Sequence, residues 1–228
     1  MAIKLSSLQT LIINMPLELQ ASRSKLSIWT SVCSVHQIAL TALSEQFSDG
    51  ITIVVSRSDL RRLAAQNDLT QYVLATVIWG YSSGMRGEHL QKILANLPKV
   101  IHLLSGVRAD GLDDWTKHYA CIKQIPGLGL STYTKFLNFL PVQVQGSRAL
   151  ILDSRIIQAI SDNTFEEFKS IGPISYDTAP RRYTDYLRTM HVVADKLEVS
   201  AEHLEFFLFE FGNNLKSSSP VARSSVSQ

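Results

Sequence analysis

Gln124-Ile125-Pro126-Gly127-Leu128-Gly129-Leu130-Ser131-Thr132-Tyr133-Thr134-Lys135-Phe136 is the stretch whose reading decides the fold. Pro126 and Gly127 end one helix, because proline cannot continue it and glycine suits the position just past a helix end. The two glycines tolerate positive φ, so the chain turns tightly through Gly127-Leu128-Gly129 and starts a second helix at Ser131. A helix that opens from such a turn leaves its first N–H groups unpaired and pointing outward, where a phosphate is favoured. The stretch predicts a helix-hairpin-helix over about residues 113–140, with Gly127, Leu128, Gly129, Ser131 and Thr132 placed to meet a phosphate backbone.

Downstream, Ala149-Leu150-Ile151-Leu152-Asp153-Ser154-Arg155-Ile156 places an Asp after an apolar run and at the start of a short apolar helix, 22 residues beyond Ser131. The hairpin together with this Asp resembles the helix-hairpin-helix DNA glycosylase superfamily. The resemblance implies a mainly α, two-lobed fold with the active site in the cleft between lobes, and double-stranded DNA carrying a modified base as the partner. No membrane and no obligate protein partner are implied. The Ser131–Asp153 spacing is a few residues longer than the superfamily pattern, which places an enlarged loop at Pro141 to Arg148.

Removal of a base breaks an N-glycosidic bond through a transition state with oxocarbenium character. A fixed carboxylate in a partly dry site stabilises that charge and can direct a water. Asp153 is the candidate for this role, and an ordinary helix N-cap is the alternative. At Ser131 the bifunctional members of the superfamily carry a lysine that attacks the sugar as an amine. Serine cannot form that Schiff base, so the resemblance implies a monofunctional enzyme that leaves an abasic site. Lys135, one turn further on the same helix face, is the candidate for a displaced amine, with a phosphate contact or a solvated lysine as its alternatives.

Extruding a base requires a pocket with stacking surfaces and hydrogen-bonding groups. Trp79-Gly80-Tyr81-Ser82-Ser83-Gly84-Met85-Arg86-Gly87 breaks a helical pattern with aromatics, glycines and an arginine, so Trp79, Tyr81, Met85 and Arg86 are candidates for the pocket or wedge, with Tyr133 beside them. The segment is similar to a bacterial branch with the 8-oxoguanine-glycosylase fold. A phage-defence glycosylase acting on a base such as glucosylated hydroxymethylcytosine resembles the chain equally well. Trp115, His118 and Tyr119 precede the hairpin and could face the same cleft, whereas Phe206, Phe207, Phe209 and Phe211 read as packing residues. A non-catalytic hairpin DNA-binding module and a basic helical interaction protein are the readings from other classes.

A chain of 228 residues, 45% hydrophobic and 18% charged, can bury a substantial core. The beginning of the sequence lacks a secretory pattern and no apolar run reaches spanning length, which predicts a cytoplasmic protein. Two cysteines, Cys33 and Cys121, are too few for the iron–sulfur cluster of some superfamily members, and the six histidines show no metal-ligand spacing. The predicted cofactor set is therefore empty apart from a monovalent cation at the hairpin, which the resemblance implies. The net charge of +2 is unevenly spread: residues 51–150 hold 11 Lys and Arg against 6 Asp and Glu, the footprint expected of a phosphate-binding face.

Apolar spacing predicts one helix from Arg23 to Phe47, a short strand or a buried run at Ile51 to Val55, and a helix from Leu60 to Gln66 capped by Ser58 or Asp59. Further helices are predicted at Leu69–Trp79, Glu88–Leu104, Asp113–Gln124, Ser131–Leu140, Ser154–Ser161, Pro180–Leu197 and Ala201–Phe211. Residues 1–215 form the helical domain in this reading, and the serine-rich stretch 216–228 is predicted to be disordered.

Overall fold

A computed structural model describes residues 2–38 and 40–215; the predicted tail at 216–228 lies outside the described residues. After helix α1 (Gln9–Ile13), strand β1 (Ala21–Lys25) leads into α2 (Leu26–Val35), and β2 (Thr52–Ser56) pairs antiparallel with β1 from Ala21↔Ser56 to Lys25↔Thr52. The single helix predicted from Arg23 to Phe47 is thus corrected. Its first residues are strand, the helix ends at Val35 just before Gln37 at φ 55°, and a kinked 3-10 turn follows at Leu40–Gln46. The apolar spacing is genuine, since Trp29 and Cys33 are buried. The run is also rich in Ser, Thr and Val, which hold helix weakly, and pairing with β2 takes its start.

Helix α3 (Arg57–Ala64) opens three residues earlier than predicted, because the cap is Ser56: its Oγ accepts from the Asp59 N–H while Asp59 accepts from the Ser56 N–H. Helix α4 (Leu69–Gly80), capped by Asp68, is buried on every side from Tyr72 to Ile78, and packs on α3, both first strands and later helices. A helix apolar all round belongs at the centre of a core, where each fully buried large side chain contributes roughly 1.5–3 kcal/mol. The helix predicted over Glu88–Leu104 is two, α5 (His89–Ala95) and α6 (Leu97–Asp110). Pro98 has no N–H to continue the first ladder and suits the opening turn of the second.

The hairpin arms are α7 (Trp115–Ile122) and α8 (Leu130–Phe139). The enlarged segment Pro141 to Arg148 is a small β-hairpin, β3 (Gln143–Val144) and β4 (Ser147–Arg148), turning through Gln145 and Gly146, both at positive φ. Helices α9 (Ser154–Ser161), α10 (Ala179–Lys196) and α11 (Ala201–Phe211) complete a mainly α fold with one continuous core from Leu5 to Leu208. No helix among the described residues is long and apolar enough to cross a membrane.

Candidate active site

Asp114 caps α7 by accepting from the Lys117 N–H at 2.9 Å, and Leu128 and Leu130, 6% and 2% exposed, pin the hairpin turn to the core. Only one of the two glycines takes the backbone freedom expected of both. Gly127 has φ +83°, and a Cβ there would stand 2.5 Å from the His89 carbonyl oxygen, so the turn is seated against the start of α5. Gly129 is extended (φ −96°, ψ 169°) and is the N-cap of α8, which carries no side-chain cap, so α8's leading N–H groups are left to an outside acceptor. The side chains of Leu128 and Thr132 point inward, Thr132 being bonded to the Tyr81 hydroxyl at 2.7 Å. What these two residues leave to a phosphate is their backbone, as the reading of the turn through its backbone amides expects.

Helix α8 is buried from Thr132 to Phe139, Lys135 included at 5% exposure. Its ammonium bends back one turn to donate to Ser131 Oγ at 2.9 Å and to the Ser131 carbonyl at 3.2 Å, and lies 5.6 Å from the centre of the Tyr81 ring. No carboxylate pairs with it among the described residues. Room for its stem comes from Gly80, where a Cβ would stand 3.0 Å from Lys135 Cδ.

Asp153 is presented by an unusual extended run. Ala149 to Leu152 are buried, and side chains from α8, α10 and α11 take up their backbone groups. Asn138 donates to the Ala149 carbonyl at 3.1 Å, and Tyr183 and Tyr186 donate to those of Leu150 and Ile151, each at 2.7 Å. The Ile151 N–H donates to Glu205 at 2.8 Å and the Leu152 N–H to Thr134 Oγ1 at 3.1 Å. A segment with this many independent anchors holds the residue after it rigidly. Asp153, 8% exposed, caps α9 through Oδ1, which accepts from the N–H groups of Arg155 and Ile156; Oδ2 has no partner among the described residues. The cap and the free oxygen therefore coexist in one side chain.

Lys135 and Asp153 line the same cavity, of about 420 Å³, where β1, α3 and the end of α4 meet α8, α9 and α11. That volume lies within the range of about 300–1,000 Å³ of small-molecule sites. Trp79 and Gly80 form one wall and Phe209 another, with the Arg155 guanidinium 4.7 Å from the Phe209 ring centre. Deeper, Arg57 and Glu205, both 1% exposed, pair at 2.9 Å. Arg57 also donates to Gln20 Oε1 at 2.7 Å, lies among the Trp79, Phe139 and Phe206 rings, and keeps one nitrogen, Nη1, without a partner among the described residues. Burial raises the Glu205 carboxyl above its ordinary value, against the opposing pull of Arg57 and the Ile151 N–H.

Sequence reading missed Arg57, Glu205 and Gln20. The one available signal was a charged Glu205 within the apolar face of Ala201–Phe211. Tyr81, Met85 and Arg86, candidates for the pocket or wedge, line the neighbouring groove along the hairpin, which is about 670 Å³ and includes Lys123 and Tyr176. Tyr133 is corrected outright. It is fully buried and bonded to His118 Nε2 at 2.5 Å, an internal tie between the hairpin arms. Burial holds His118 below its ordinary value, which favours the neutral ring at this contact. Trp115 is likewise core, against Tyr119 and Tyr183, with its indole N–H on the Pro180 carbonyl.

Over residues 17–209 the sequence matches the family model described as "Putative 8-oxoguanine DNA glycosylase OGG-like protein". The match spans the hairpin and every residue of the cavity named above. Searches of curated proteins and of solved structures returned no match.

Proposed function

Since the chain belongs to the OGG-like DNA glycosylase family, we propose that it cleaves the N-glycosidic bond of a modified base extruded from double-stranded DNA into the cavity of Lys135 and Asp153. The supporting observation is the convergence of these two polar groups, from different helices, on one partly dry cavity. The open N-terminus of α8 takes a phosphate, with the backbone of Gly127 and Gly129 alongside and room for a monovalent cation. The base enters against Trp79. As the bond to C1′ lengthens and the sugar gains positive charge, the free Oδ2 of Asp153 stabilises it and orients the attacking water. Ser131 stands where an amine would otherwise attack, so hydrolysis yields an intact strand with an abasic site. The polar lining suits a base with a large hydroxylated substituent, as in modified phage DNA, as well as an oxidised purine.

One observation favours a second reading of the chemical step. The Lys135 ammonium lies 2.9 Å from Ser131 Oγ, so an amine reaches the position that Ser131 vacates. Once Lys135 has given up a proton to solvent, attack of its amine on C1′ would expel the base with the bonding pair, the base taking up a proton from water; the nitrogen's second proton then passes to O4′ as the sugar ring opens, leaving a protonated imine. The test is incubation with duplexes carrying a panel of modified bases, with alkali added to one half and borohydride to the other. Alkali-labile product without a trapped adduct supports hydrolysis. An adduct that disappears in Lys135→Gln supports the amine, and no released base from any duplex overturns both.

A further inference from the structure

Among the exposed large side chains, Tyr176 (56% exposed) is the aromatic that stands beside the candidate site. It belongs to no helix, yet its place is fixed on both sides. Ile174, before it, is buried and bonded through both backbone groups to Ser161 Oγ. After it, Ser175 and Thr178 bond reciprocally: the Ser175 N–H donates to Thr178 Oγ1 at 2.9 Å, the Thr178 N–H to Ser175 Oγ at 3.2 Å. The N–H of the buried Ala179 then closes the turn on the Ser175 carbonyl at 2.8 Å. A ring left in solvent at the tip of so constrained a turn carries the cost of apolar exposure without packing in return, and has little freedom left to lose on binding.

Its surroundings identify the ligand. The Tyr176 hydroxyl lies 3.6 Å from where a Cβ on Gly129 would be, at the N-terminus of α8. The ring shares the hairpin groove with Tyr81 and Thr132, and Tyr81 in turn carries Lys135 over its face. Partial burial, then Tyr81 and Asp153, raise the Tyr176 phenol above its ordinary value. A planar, pre-placed aromatic in the hairpin groove, beside the N-terminus of α8 and sharing the groove with the Tyr81 that Lys135 overlies, matches the flat face of a nucleobase.

We propose that Tyr176 is a positioning residue, a stacking platform for a nucleobase in the hairpin groove next to the cavity that keeps the DNA opened beside the reacting nucleotide. This rests on the glycosylase reading above. Duplexes bearing a tetrahydrofuran abasic analogue, with 2-aminopurine as the neighbouring base, read it directly, because stacking on a ring quenches that fluorophore. For wild type we expect preferential binding of the analogue over undamaged duplex, with quenching. Tyr176→Ala should lose the quenching and weaken binding to the analogue by roughly tenfold or more, the scale of one base–aromatic stack, with undamaged-duplex binding little changed. Tyr176→Phe should retain both signals. Unchanged quenching in Tyr176→Ala, or a Phe variant as defective as the Ala variant, would overturn the platform while leaving the glycosylase reading intact. Wild type that does not discriminate the analogue from undamaged duplex would instead remove that reading, and the platform with it.

Discussion

Asp153 and Gly80 show how much of the candidate chemistry rests on single atoms. An Asn at 153 retains an oxygen for the Arg155 and Ile156 N–H groups, so the cap on α9 survives. What it loses is the charge on the free oxygen. Asp153→Asn is therefore expected to fold and bind DNA normally while single-turnover base release falls by roughly two to four orders of magnitude, the scale seen when a charge-stabilising group is removed. Full activity would return Asp153 to a capping role alone. Gly80 separates stability from function in the opposite direction. Alanine is the better helix former by up to about 1 kcal/mol, but its Cβ would stand 3.0 Å from Lys135 Cδ and displace the lysine stem. If the Lys135 amine takes part in the reaction, Gly80→Ala should leave the melting temperature unchanged or raise it while base release falls at least roughly tenfold, the effect of misplacing a reacting group by a fraction of an ångström. Equal activity would mean that the position of Lys135 does not matter to the reaction.

Within the hairpin, the two glycines are not equivalent. A side chain at Gly127 meets the His89 carbonyl and an unfavourable φ, so Gly127→Ala should cost roughly 2 kcal/mol or more in chemical denaturation. Gly129 has extended backbone, and a Cβ there would make only an ordinary contact with the Tyr176 hydroxyl at 3.6 Å, so Gly129→Thr should keep the fold and weaken DNA binding to a similar extent for every sequence, because a phosphate contact carries no base information. Direct titration with several duplexes checks this, and unaltered affinity in the folded Thr variant would exclude the α8 N-terminus as the phosphate site.

Across the whole molecule, the nearly balanced charge conceals a basic middle third and an acidic end. Arg86 and Lys123 come together along the hairpin groove although 37 positions separate them in the chain. Each is expected to neutralise one phosphate, so Arg86→Ala and Lys123→Ala should each reduce the slope of log affinity against log salt by about 0.9. Unchanged slopes would move the DNA track elsewhere on the surface.

The sequence by itself determined the hairpin, the Asp153 cap and most helices, because turn chemistry, capping and apolar periodicity act over a few neighbouring residues. It misjudged the start of Arg23–Phe47, where pairing with a strand some 30 positions on outweighed weak local helix preference. Only the tertiary structure decided which groups meet. It put Arg57 against Glu205, 148 positions away, set Gly80 beneath Lys135, moved Tyr133 from the expected pocket into the core, and displayed Tyr176 beside Gly129. Such contacts depend on how helices are stacked, and neither partner's local sequence bears a mark of the other. The physical reason is that burial and pairing energies are fixed by the packed arrangement as a whole, whereas propensity and capping are fixed by the chain nearby.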